Sequence, residues 1–107
     1  MSDYTITVKE IVSWFETKVP PAGIILAGIH EGRGTTKPSA FADYDTDWAI
    51  GRIVIWVSGE AEFQILRRSD GTDVMVHHEH VPLLAALDNS YGNFLSTMTN
   101  PDRENLN

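Results

Sequence analysis

Three runs of alternating hydrophobicity lie almost end to end over residues 48–79, and this feature most narrows the folds open to the chain. Residues 48–57, 61–67 and 72–79 each read as a strand by period-two alternation and β-branched content. Their connections, Ser58-Gly59-Glu60 and Arg68-Ser69-Asp70-Gly71, have the composition of hairpin loops. The result is an antiparallel meander. Ile53, Ile55 and Val57 point to one face. Phe63 and Ile65 join that face if Ile55 stands opposite Phe63 and Ile53 opposite Ile65. The second hairpin then sets Ile65 opposite Val74 and Phe63 opposite Val76. A slip of one residue would send each set to the wrong side, so a buried face specifies the pairing.

The flanking segments supply the other layer. Val8, Ile11, Val12, Phe15 and Val19 recur at helical spacing, with Trp14 beside them. Thr7 and Glu10 have the spacing of a capping box, and Pro20-Pro21 must end the helix. Residues 23–29 form a short Ile-rich run that reads as a buried strand, and residues 39–44 as a further short strand. After Val81-Pro82, the residues Leu84, Leu87, Tyr91, Phe94, Leu95 and Met98 again recur at helical spacing. Asn89, Ser90 and Gly92 predict a kink or break within that helix. Residues 100–107 are polar and are expected to fray. These elements predict one α+β domain spanning residues 1–107: a meander of four to five antiparallel strands, with an N-terminal and a C-terminal helix packed on one face.

Composition excludes several function classes. The 107 residues are 42% hydrophobic and 21% charged, which is ordinary for a globular chain. No apolar run approaches the ~20 residues of a bilayer span. Met1-Ser2-Asp3-Tyr4 lacks the basic-then-apolar pattern of a secretory signal, and cysteine is absent, so the cytoplasm is the expected compartment. The net charge is −7. Residues 38–66 set Arg52 alone against Asp43, Asp45, Asp47, Glu60 and Glu62. Such a surface disfavours nucleic acid and anionic membrane and favours a basic partner.

The second face of the meander departs from an ordinary polar exterior. It is expected to carry Trp48, Ile50, Arg52, Val54 and Trp56 on the long strand. The register above aligns Trp56 with Glu62 and then His77, and Arg52 with Leu66 and Asp73. Two tryptophans, an arginine and several aliphatics inside an acidic frame match the side chains enriched at binding hot spots. The alternative is that another element covers this face and makes the tryptophans ordinary core.

Catalytic patterns are sparse. Gly32-Arg33-Gly34 lacks the further glycines and the strand–helix context of a dinucleotide loop. His78 and His80 of the tract His77-His78-Glu79-His80 would share one strand face, yet zinc needs three or four ligands; a polar strand end with one histidine near Glu62 is the favoured reading of the tract. The carboxylate sets Asp43, Asp45, Asp47 and Glu60, Glu62 have no apolar pocket to raise a pKa. No nucleophile motif is present. No cofactor or metal is expected, and binding is favoured over catalysis.

The stretch Ile50-Gly51-Arg52-Ile53-Val54-Ile55-Trp56-Val57-Ser58-Gly59-Glu60 resembles bacterial immunity proteins of the TriTu type. Asp70-Gly71, His77-His78-Glu79 and Lys37-Pro38-Ser39 are similar too, so the resemblance covers roughly residues 37–96. It implies a protein that is not itself an enzyme and that neutralises a cognate toxin delivered by type VI secretion. The namesake toxin is an ADP-ribosyltransferase acting on elongation factor Tu. The antidote would bind the toxin's catalytic domain one-to-one and obstruct its NAD site. Trp48, Arg52, Trp56, Asp43, Asp45, Asp47, Glu60 and Glu62 are the candidate toxin-binding residues. Two alternatives remain open at the level of sequence. One is a small acidic secretion chaperone that dimerises around an extended effector segment; the other is a metal-dependent enzyme built on His78 and His80.

Overall fold

A computed structural model describes residues 6–32 and 37–99. Arg33 and Gly34 of the glycine-containing loop, and the polar tail at residues 100–107, lie outside the described residues.

Helix α1 spans Val8–Thr17 and starts where the capping box predicts. The Glu10 amide donates to Thr7 Oγ1 at 3.1 Å, and the Thr7 amide donates to Glu10 Oε1 at 3.0 Å, so two orphan donors of the first turn are satisfied. Ile11, Trp14 and Phe15 are buried. Val19 lies beyond the helix and is 85% exposed, because the chain has already turned away toward Pro20-Pro21.

Five strands follow: β1 (Ile25–Glu31), β2 (Ser39–Asp45), β3 (Ala49–Trp56), β4 (Glu60–Arg67) and β5 (Asp73–His80). They form one antiparallel sheet in sequential order, so β1 and β5 are its edges. β1 is therefore not the buried strand that its Ile-rich run suggests. A register shift between Leu26 and Gly28 interrupts its pairing, and Ile25 is 66% exposed. A short apolar run does not distinguish a central strand from an edge with one covered face.

The face assignments of β3 and β4 are as expected, but the register differs by two residues. Ile53 stands opposite Phe63 and Ile55 opposite Ala61, rather than Ile55 opposite Phe63. The connection is Val57-Ser58-Gly59: the Gly59 amide donates to the Trp56 carbonyl at 2.9 Å, and Gly59 has φ +94°. Val57 leaves the β4 ladder, donates its amide to the Pro38 carbonyl at 3.1 Å and buries its side chain. A Cβ at Gly59 would run into the Val81 carbonyl, so glycine is required there twice over.

The β4–β5 register slips by one residue. Leu66 pairs with Asp73 as expected, but an irregularity between Ile65 and Leu66 leaves Val74 unpaired. Beyond it Ile65 faces Met75, Phe63 faces His77 and Glu62 faces His78. Val76, expected in the core, is 51% exposed.

The chain closes with a 3-10 turn at Leu84–Leu87 and helix α2 at Asp88–Thr99. The break falls before Asn89, because the tight turn swings Leu87 inward and leaves Asn89 to Gly92 inside a regular helix.

Both helices lie on one side of the sheet. Phe94 packs edge-on against Tyr44 at 5.2 Å between ring centroids, and Trp14 against Tyr91 at 5.4 Å. Small residues floor this layer: Ala40, Ala42, Ala49, Gly51 and Ala61 are buried on the helix side. A Cβ at Gly51 would lie 2.5 Å from Phe94 Cζ. Among the described residues, the opposite face of the sheet carries no helix.

Candidate functional site

The uncovered face is built in rows by the register. His30, Phe41, Val54, Glu62 and His78 stand side by side across all five strands. The next row runs through Gly28, Asp43, Arg52, Gln64 and Val76. The neighbouring row aligns Asp45, Ile50, Leu66 and Asp73, and Trp56 pairs with Ser39 at the other end. Trp56 and Val54 are half-buried, while Ile50 and Arg52 are exposed. The face is therefore open to solvent, and Arg52 and Trp56 sit on it as the alternation predicts.

Arg52 is fixed on both sides. Its Nε donates to Asp43 Oδ1 at 2.7 Å and its second terminal nitrogen to Asp43 Oδ2 at 3.2 Å. The guanidinium carbon lies 4.4 Å from the Phe41 ring centroid. A bidentate pair and a cation–π stack fix the plane of the group and leave its other donors to solvent. The hydrogen bond to Asp43 raises the Arg52 pKa above its ordinary value, so the charge is permanent. Asp43, Ile50, Gly51, Arg52, Gln64 and Leu66 surround a shallow depression of about 210 Å³.

Trp56 has its own cation. Lys37 Nζ lies 5.9 Å from the indole centroid and pairs with Glu60, which also accepts from Ser58 Oγ at 2.8 Å. The Lys37 ammonium first, and the Ser58 hydroxyl second, hold the Glu60 carboxyl below its ordinary pKa. Asp45 accepts from Arg68 at 2.8 Å, and Arg68 Nε reaches the Thr46 carbonyl at 3.0 Å. Glu62 lies 2.7 Å from His78 Nε2. Four of the five expected acidic residues thus have a basic neighbour, which tempers the negative frame. Asp47 is exposed and makes no ion pair among the described residues.

Trp48 does not share this face. Its indole Nε1 donates to the Met98 carbonyl at 2.8 Å, and the half-buried ring packs against the helix-side core. Residue 48 precedes β3, so strand alternation does not govern it.

The histidine tract disperses. His78 and His80 do share a face, but His78 turns to Glu62, and His80 Nε2 donates to the Ser58 carbonyl at 2.8 Å. His77 lies on the helix side, 2.9 Å from Glu79, which also accepts from Ser90 of α2. Among the described residues no three of His, Asp and Glu are grouped to hold a metal ion, and no helix is long and apolar enough to cross a membrane.

Phe41, Lys37 and Arg68 belong to this surface and escaped the strand-by-strand reading. Phe41 carries a usable signal, since it alternates with Asp43 on β2 and so faces the same way. Lys37 and Arg68 lie outside the strands, where no periodicity points them.

A single sheet backed by helices, with an ordered Arg–Trp face turned outward, defines a small α+β recognition domain. The family described as Immunity protein TriTu matches residues 9–97, and the chain belongs to that family. Membership supports a toxin-neutralising role with a cognate toxin as partner. No curated protein matches the chain.

Proposed function

We propose that this protein protects the cytoplasm of its host by binding, one-to-one, the catalytic domain of an ADP-ribosyltransferase toxin delivered by type VI secretion, and by obstructing its NAD site. The family match carries the neutralising role. The resemblance to the namesake antidote supports the toxin's chemistry. The open face supports the mode of binding: Arg52 and Trp56 form its centre, Asp43, Glu60 and Glu62 hold or border them, and Asp45 and Asp47 lie toward one end. Trp48 acts from beneath by fixing α2. The protein works by occupancy and performs no chemistry of its own. A net charge of −7 accelerates its encounter with a basic nucleotide cleft, an advantage that salt removes.

Co-expression with the toxic domain encoded beside this gene, scored by survival, tests the role. Purified toxin domain, titrated with this protein at several NAD concentrations, tests the mechanism. Inhibition relieved by rising NAD, with one protein bound per toxin, is the expected result. Inhibition indifferent to NAD would overturn obstruction, and turnover of ADP-ribosylated target by this protein alone would overturn the non-enzymatic reading.

A further inference from the structure

The two edges of the sheet are not alike. β1 is interrupted by its register shift at Leu26/Gly28, and α1 packs over β1 and β2. Both are familiar means of blunting an edge. β5 has no helix packed over it, and its one irregularity, at Val74, lies at the start of its pairing and leaves residues 75–80 regular. It runs eight residues, pairs without interruption with β4 from Glu60↔His80 to Ile65↔Met75, and contains no Pro, Lys or Arg. None of its residues is buried; side chains on both faces meet solvent, Val76 at 51% and His77 and His78 beside it. α2 packs through Phe94 across β2, β3 and β4 and touches β5 through Ser90 and Glu79, so β5 overhangs the helix layer. Among the described residues, hydrogen bonds to its main chain come from within the sheet alone, and its outer side is unpaired.

We infer that β5 is a docking edge, and that an extended strand of the cognate toxin, bearing net positive charge, pairs with it and adds a sixth strand to the sheet. Main-chain pairing supplies affinity, and alternate side chains reach onto the open face beside Val76 and His78. The charge selects the occupant. A second copy of this chain would bring another −7 against the first, which disfavours self-pairing through β5, whereas a basic strand meets Asp73 and Glu79 near the two ends of the edge. This inference rests on the toxin-binding reading above and names the edge by which binding occurs.

Hydrogen exchange of the full chain, alone and with a catalytically inactive form of the toxin domain encoded beside it, is the test. Amides of residues 73–80 gain protection in the complex. Val76→Lys, a charge on the exposed side of the edge, weakens binding by about tenfold or more with circular dichroism unchanged, and Val76→Thr binds as the parent does. A complex that forms with no added protection in 73–80 and tolerates Val76→Lys overturns the docking edge and leaves the immunity role standing. Failure of the two proteins to associate overturns that role and the inference with it. Self-association in sedimentation that Val76→Lys disperses overturns it in favour of a second copy.

Discussion

The indole nitrogen of Trp48 donates a 2.8 Å hydrogen bond to the main-chain carbonyl of Met98, fifty positions along the chain. The last turn of a helix leaves its carbonyls without intrahelical donors, and here a side chain just ahead of β3 satisfies one of them. The contact ties the end of α2 to the sheet. Trp48→Phe keeps an aromatic ring and removes the donor. It is expected to cost about 1 kcal/mol of stability, read in urea denaturation, with toxin affinity unchanged at temperatures where the variant is folded.

Arg52 behaves in the opposite way. Its pair with Asp43 is half in water, so solvent screening holds its contribution to folding to at most about 1 kcal/mol. Arg52→Ala is therefore expected to leave the denaturation midpoint nearly in place and to weaken toxin binding by about tenfold or more in calorimetry. Arg52→Lys keeps the charge without the planar fork of Arg52 over Phe41, and recovers only part of the affinity. Equal binding by all three forms would remove Arg52 from the interface.

Two glycines are expected to give opposite results. Gly51→Ala sets a methyl 2.5 Å from Phe94 Cζ and 3.0 Å from Met98 Sδ in a packed layer. A loss of about 1–3 kcal/mol in denaturation is expected. Gly92 lies in α2, and an alanine methyl there would meet nothing within 4 Å, so Gly92→Ala is expected to gain about 0.5–1 kcal/mol.

Glu60 sets a pH dependence whose direction follows from its lowered pKa. The carboxylate is the form that Lys37 and Ser58 bind, so its stabilising effect is present above the ordinary glutamate range. That effect fades as pH falls through the lowered folded-state value, where the group becomes protonated in both states. The difference in melting temperature between the parent and Glu60→Gln is expected near neutral pH and is expected to close as the solution is acidified. A gap that widens in acid would contradict the assignment.

How much of this was legible in the sequence depended on where burial enforces a choice. Ile53, Ile55, Phe63 and Ile65 all belong to one face because a slip by one would expose them, and that face was predicted correctly. A slip by two keeps every one of them inside, so alternation could not separate Ile55 opposite Phe63 from Ile53 opposite Phe63; the backbone of Gly59 decided it. On β5 even the face was lost, since a strand that overhangs the helices has no buried side to enforce it. For the site, alternation correctly placed Arg52 and Trp56. The cations that hold their acidic neighbours, Lys37 and Arg68, are brought in by loops, whose course local pattern does not fix.

The alanine-and-glycine floor on the helix side has a further consequence. Gly51, which cannot be enlarged without striking Phe94, lies on the helix side, while the outward side chains of β3 and β4 rest on the same strands without holding up the core. The outward set can be rewritten to meet a new opponent while the scaffold stays as it is, so a lineage locked in an arms race could change its target faster than it changes its shape.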